Sequence, residues 1–307
     1  MYDDGMSRII AAAFSRLHSE LDRGGPFLAQ QILGWIKGLS DTAQPEDYFK
    51  HPHAFPMLLL PWWVEKTLCQ HPDPVFQADL VYSTVNGYYY IRLMDNVMDA
   101  NATLELNLLP ALNLFHTQFQ APYQRYFEHE HPFWDFFFGV WMTSAEVTMV
   151  DGGLAEVDRT QFVQVAAQKT CAAKIPLAAV CYQYEQPGLI TPWAHFVELF
   201  GCWHQMRNDL FDWRRDLQRQ ARTYFLSEAE RRKRSAETVA EWVVREGFAW
   251  GVQNLEAWMA ELQALAGNLN SPDLEAYLDT REAMMRKQKE DVTDGLQNVA
   301  KLLALFE

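Results

Sequence analysis

Gly201-Cys-Trp-His204-Gln205-Met-Arg-Asn208-Asp209-Leu-Phe-Asp212-Trp-Arg-Arg215-Asp216 carries oxygen-bearing side chains at steps of four residues. Four residues of α-helix turn through about 400°, so Asn208, Asp212 and Asp216 drift only about 40° per step and rise about 6 Å. The spacing predicts a ladder of oxygen ligands along one stripe of a helix. Asp209 stands about 100° away, where it either joins the stripe or faces a neighbouring element. Hard oxygen donors with room for water suit Mg²⁺ better than zinc or copper. The plain alternative is a solvated face on which Arg214 and Arg215 pair with the acids.

A second acidic stretch lies upstream in Tyr88-Tyr89-Tyr-Ile-Arg92-Leu-Met-Asp95-Asn-Val-Met-Asp99. Asp95 and Asp99 are one turn apart and share a face, amid aromatic and aliphatic neighbours. Like charges at that spacing repel, and burial adds to the cost. A bound divalent cation removes both penalties; a helix end that leaves Asp99 in water is the simpler alternative. Either stretch alone is a weak signal. Two acidic helices facing across a bundle make a cage for several metal ions, and such a cluster implies a ligand rich in anionic oxygens, diphosphate first.

Around these stretches the periodicity is helical. Apolar residues recur at helical spacing over 5–22, 27–38, 75–99, 104–127, 133–150, 158–184, 192–218, 235–265 and 273–305. Gly24-Gly25, Pro45, Pro72 with Pro74, Gly152-Gly153 and Pro187-Gly188 punctuate them, and Ser271-Pro272-Asp273 has the form of a helix N-terminus. Strand-like alternation is scarce. The pattern predicts one all-α domain over 1–307, a helical bundle with a central apolar cavity. Residues 77–99 and 133–150 are apolar nearly all round and are expected inside it.

The 307 residues are 49% hydrophobic and 14% aromatic, enough for a large core. A formal charge of −14 excludes phosphodiester backbones as natural partners. Cys69, Cys171, Cys181 and Cys202 show no metal-binding spacing and read as free thiols of a reducing compartment. The N-terminus lacks the basic and apolar regions of a signal peptide, and the longest apolar run, Phe55 to Val64, is short and contains two prolines. A cytoplasmic protein, not integral to a membrane, is expected.

The residues together resemble the class I isoprenoid superfamily: trans-isoprenyl diphosphate synthases, terpene synthases, and squalene and phytoene synthases. The likeness runs over roughly residues 50–230. Phe55-Pro56-Met-Leu-Leu-Leu-Pro-Trp followed by Gly87 to Asp99 resembles the approach to the family's first aspartate-rich motif. Gly201 to Asp216 resembles the second. Gln168-Lys169-Thr170 is similar to a Lys-Thr pair that contacts the allylic diphosphate, and Arg222-Thr223 falls where elongating members place a diphosphate-binding Lys before a Thr. The resemblance implies three Mg²⁺ ions held by Asp95, Asp99, Asn208, Asp212 and Asp216. It also implies diphosphate contacts from Arg92, Lys169, Gln205, Asp209, Arg215 and Arg222, and a homodimer.

The departures point to the reaction. Elongating members bind isopentenyl diphosphate through a basic segment; the matching stretch here is His51-Pro-His53-Ala-Phe55-Pro56, without Lys or Arg. Their paired arginines after the first motif are replaced by Ala100-Asn-Ala-Thr-Leu-Glu-Leu-Asn107. A second diphosphate with unneutralised charge binds poorly. The expectation is a Mg²⁺-dependent terpene synthase that ionises one C10–C20 prenyl diphosphate. Its cation would sit against Tyr88, Tyr89, Phe137, Trp141 and Trp203, each of which taken singly is more simply explained as core packing. The Asn-Asp-Asp ladder and Arg92-x-x-Asp95 also resemble squalene and phytoene synthases, so head-to-head coupling is the runner-up. A non-catalytic partner subunit is the third reading.

Overall fold

The computed structural model describes residues 2–40, 44–98, 105–153 and 156–303, and nothing but helices and turns is found among them. The helices are α1 (Asp4–Asp22), α2 (Pro26–Ser40), α3 (Pro45–Lys50), α4 (Leu60–Leu68), α5 (Pro74–Met98), α6 (Leu109–Gln120), α7 (Pro132–Gly153), α8 (Arg159–Gln168), α9 (Cys171–Gln183), α10 (Ile190–Gln218), α11 (Tyr224–Arg232), α12 (Val239–Trp242), α13 (Phe248–Asn268) and α14 (Pro272–Leu303). The all-α class agrees with the periodicity.

Several predicted segments divide, each for a local reason. The segment 104–127 becomes a 3₁₀ turn, α6 and a second 3₁₀ turn at Ala121–Arg125, where Pro122 has no N–H to continue the helix. The segment 158–184 breaks at Lys169-Thr170, and the Thr170 hydroxyl donates back to the Ala167 carbonyl at 2.5 Å. The segment 235–265 contains a π-helical turn at Val243–Gly247. There a Cβ on Gly247 would lie 2.4 Å from the Trp242 ring, so the glycine makes room for the indole. Helix α11, absent from the periodic pattern, starts at Thr223, whose side chain accepts from the Leu226 N–H.

The chain forms two compact units, Met1–Trp141 with Cys171–Thr191, and Met142–Thr170 with Pro192–Glu307. In the first unit, α5 is flanked by α1, α4, α6 and α9. It buries polar side chains, most of them paired locally, while Gln77 Oε1 and Asn86 Oδ1 have no partner among the described residues. Asp79 accepts from Arg16 at 2.5 Å, from Arg125 at 3.0 Å and from the Tyr126 hydroxyl at 2.8 Å. The Ser83 hydroxyl donates to the Phe119 carbonyl of α6, and Gly87 leaves the space that the Phe119 ring fills. Glu65 of α4, fully buried, accepts from Gln77 of α5, from Tyr184 just beyond α9 and from the Asp73 N–H.

In the second unit α10 runs through the core with Phe196, Phe200, Trp203, Met206 and Leu210 buried. Two glycines set the close approaches. A Cβ on Gly251 of α13 would stand 2.6 Å from Leu210, and one on Gly201 would stand 2.6 Å from Thr170 and 2.9 Å from the Ala166 carbonyl oxygen. Gly201 thus packs α10, about two turns before the ladder, against the α8 terminus that carries Lys169. Because the backbone carbonyl cannot swing aside, Gly201→Ala is expected to cost about 1–3 kcal/mol. A lower urea midpoint at unchanged slope checks this.

One expectation is corrected. Helix α7 is not interior on all sides: Phe138, Met142, Met149 and Val150 are exposed, Met149 by 73%. A helix apolar all round is what a buried helix needs, but also what a helix with a face kept for a partner needs. No helix among the described residues is long and apolar enough to cross a membrane.

Candidate functional site

The ladder forms on α10. Asn208, Asp212 and Asp216 lie on its half-exposed side, opposite the buried Trp203, Met206 and Leu210. Arg215 donates to Asp212 at 2.5 Å and approaches Asp216 at 3.8 Å, while the Asn208 carbonyl oxygen accepts from Arg207 at 3.3 Å. The alternative raised from the sequence, an arginine on the acids, therefore exists; it is Arg215. Partial burial pushes the Asp216 carboxyl above its ordinary range, Asp212's charge adds to this, and Arg215 and Arg219 oppose it.

Asp209 turns away from the stripe. It is 3% exposed and accepts from Gln205 at 2.7 Å and from the backbone N–H groups of Tyr224 and Phe225, at the start of α11. Burial, reinforced by the charge of Asp216, pushes its carboxyl up to about 7 against those hydrogen bonds. Of the two placements the sequence left open, Asp209 takes the one facing a neighbour, and Gln205 is its donor. The Asp209 contact holds α11 at the foot of the ladder.

Cations of this unit stand at element ends. Lys169 caps α8 and pairs with Asp151 at 2.6 Å, and the exposed Arg222 immediately precedes the Thr223 cap of α11. Two further guanidiniums, which the motif did not single out as a pair, are buried behind the ladder. Arg207 donates to Gln288 of α14 at 2.9 Å, and Arg281 of α14 lies 5.2 Å from the Trp203 ring and 3.5 Å from His204 Nδ1. Burial, with Arg281's like charge, pushes Arg207 down to about 10. Trp203 itself is fully buried and stacks on Phe200 at 5.4 Å.

In the first unit Asp95 sits half-exposed on α5, with Arg92 at 3.9 Å. Asp99, with residues 100–104, lies outside the described residues. Below Asp95 the helix carries three tyrosines. The Tyr88 hydroxyl donates to Tyr48, and its ring lies 5.1 Å from Phe49. Tyr89 is buried 5.8 Å from Trp35 and 5.6 Å from Phe115. Tyr90 meets Trp141 at 5.3 Å and His116 at 5.5 Å. Phe137 is buried between Phe119 and Tyr123. Tyr90 and His116 escaped the sequence reading because three separate segments bring these rings together.

The donor set on α10 fits Mg²⁺ in kind: it is all oxygen, half-exposed and in register. Among the described residues no three His, Cys, Asp or Glu side chains are gathered closely enough to enclose a metal by themselves. Mg²⁺ is commonly held by one or two carboxylates plus water and phosphate oxygens, so a ligand-completed site is the arrangement these residues suit.

The architecture is that of an all-α prenyl-synthase bundle. No protein-family model and no curated protein matches the chain. Solved structures do match. A geranylgeranyl pyrophosphate synthetase from the archaeon Geoglobus acetivorans superposes with a TM-score of 0.67 at 11% identity, over 92% of this chain and 98% of that one. The farnesyl diphosphate synthase of T. brucei, complexed with homorisedronate, gives 0.57 at 11% identity over 91% and 98%. The chain has the fold of the isoprenyl diphosphate synthases along nearly its whole length.

Proposed function

We propose that this protein is an enzyme that ionises an allylic prenyl diphosphate and converts the resulting carbocation to a neutral terpene. The observation that carries the reading is the oxygen ladder on α10, set on a fold otherwise shared with geranylgeranyl and farnesyl diphosphate synthases. Asn208, Asp212 and Asp216 are the residues that would hold Mg²⁺, and Asp95 and Asp99 are ligands of the same kind. Bound Mg²⁺ would supply positive charge to the departing diphosphate.

This chain's own cations share that task. Lys169 and Arg222, at helix ends, and Arg215, on the ladder, would pair with diphosphate oxygens. Arg215, paired with Asp212, would be released for this role if that carboxylate held a metal ion. Carbon–oxygen cleavage then leaves the electron pair on the diphosphate and a cation on the prenyl chain. Aromatic faces stabilise such a cation without reacting with it. Residues 51–56 contain no Lys or Arg to neutralise a second diphosphate, which favours a single-substrate reaction over elongation. The Arg92–Asp95 contact favours head-to-head coupling as the second reading. The exposed apolar residues Phe138, Met142 and Met149 of α7 support a homodimer.

The test is incubation with geranyl, farnesyl and geranylgeranyl diphosphates, with Mg²⁺ or with chelator, measuring released diphosphate and the extracted hydrocarbons. Release from at least one substrate, abolished by chelator, is expected. A product with twice the substrate's carbons selects head-to-head coupling, and silence from all three substrates overturns the enzymatic reading.

A further inference from the structure

We propose that His116 is the proton acceptor that ends the reaction, taking a proton from the carbon beside the cationic centre within a niche formed by Tyr90 and Trp141. This rests on the reading above, that an allylic diphosphate is ionised. Ionisation leaves a cation that becomes neutral either by losing a proton or by adding water. In the first route a C–H bond breaks, its electron pair forms a C=C bond with the cationic carbon, and an N–H bond forms on the imidazole. The imidazolium later returns that proton to solvent, so the acceptor is regenerated.

Such an acceptor has to be neutral near pH 7, unengaged, and surrounded by groups that tolerate a cation. His116 meets each condition. It lies on α6, half-buried, with its ring centre 5.5 Å from Tyr90 and 5.7 Å from Trp141, which are themselves 5.3 Å apart. Three rings from α5, α6 and α7 thus form a triangle, and Phe119 extends the aromatic wall 5.0 Å beyond Trp141. Neither nitrogen of His116 makes a hydrogen bond to another described residue. The exposed His18, His71, His129 and His195 also make no such bond, whereas other histidines are engaged. His131 and His51 accept backbone N–H groups at 3.1 and 3.2 Å, and His204 lies beside Arg281.

The electrostatics agree with the geometry. Burial pushes the His116 imidazolium below its ordinary range, with no carboxylate opposing it, which favours the neutral ring. The surrounding indole and phenol faces attract a cation while offering it no nucleophile. Tyr90 precedes Asp95 by five residues on α5, about 7.5 Å along the helix. Five residues also turn through about 140°, so a prenyl chain whose head group is held near Asp95 would pass round α5 to bring its carbons to these rings.

The experiment uses the full chain with Mg²⁺ and the prenyl diphosphate that the wild type turns over. It reads the ratio of olefin to alcohol per diphosphate released, for wild type, His116→Phe and His116→Ala. Positioned bases contribute about 10²–10⁴-fold, so both variants are expected to lower that ratio at least about tenfold. Imidazole added to the buffer should restore olefin in His116→Ala and not in His116→Phe, a response that a packing role does not give. An unchanged ratio in both variants overturns the inference, as does a loss in His116→Ala that imidazole fails to repair, or a wild type that makes alcohol alone. If the wild type releases no diphosphate, the enzymatic reading itself falls and takes this one with it. Release with an unmoved ratio removes His116 only.

Discussion

Asp212→Ala is expected to lower Mg²⁺-dependent diphosphate release by about 10³-fold or more while leaving the protein folded. Metal-assisted charge stabilisation is worth several kcal/mol in the transition state, and about 4 kcal/mol corresponds to three powers of ten. The folded state has little at stake in this carboxylate. Its side chain is 41% exposed, and it pairs with Arg215, itself 56% exposed. Exposed pairs of this kind are worth about 0–1 kcal/mol. Activity and stability should therefore separate at this position. The neighbouring Asp209, buried against α11, should behave oppositely and lose stability when truncated. Steady-state diphosphate release and thermal melting on the two variants make the comparison. If Asp212→Ala keeps its activity to within a few-fold, the ladder is a solvated face and the proposed function is wrong.

The largest stability effect is expected in the first unit. Glu65→Ala should cost about 3–5 kcal/mol, because it strands buried donors as well as opening a cavity. The carboxylate receives the Gln77 amide and the Tyr184 hydroxyl, each at 2.5 Å, and the Asp73 N–H at 2.9 Å. It thereby joins α4, α5 and the end of α9. The pH dependence has a definite sign. Burial raises the Glu65 carboxyl above its ordinary range, and the three hydrogen bonds offset only part of that shift. Between the ordinary and the raised value the folded state binds the extra proton, so stability falls as pH rises. The contribution is whole below the ordinary carboxyl range and is lost as pH passes the raised value. Urea denaturation of wild type and Glu65→Ala across that range should show a steeper falling limb in the wild type, since the raised Asp209 and Asp216 carboxyls titrate in both. A variant as stable as wild type would show that the network is ornamental.

The helical class and the ladder were legible because both rest on periodicities of a single chain segment. Asn208, Asp212 and Asp216 share a stripe whatever packs around them. The opening of α14 at Ser271-Pro272 was equally readable, since proline at the first helical turn has no N–H to lose. Helices α3, α4 and α11 were not, being short enough that their apolar residues complete no pattern. The break at Lys169-Thr170 also left no local mark. It follows from how closely Gly201 brings α10 to Ala166 and Thr170.

The direction of Asp209 shows the same division. Its residue number says only that it stands about 100° from the ladder. The arrival of the Tyr224 and Phe225 N–H groups decides that it serves α11. Likewise the exposed side of α7 and the ring triangle of Tyr90, His116 and Trp141 depend on which helices lie adjacent. The sequence by itself determined helix content, the acid stripe and the absence of Lys and Arg over 51–56, because these are properties of short-range spacing and composition. Tertiary structure alone decided which carboxylates are buried in packing, which remain half-exposed, and that His116 packs against Tyr90 and Trp141. Those outcomes turn on desolvation and on partners distant in the chain, and no local pattern encodes them.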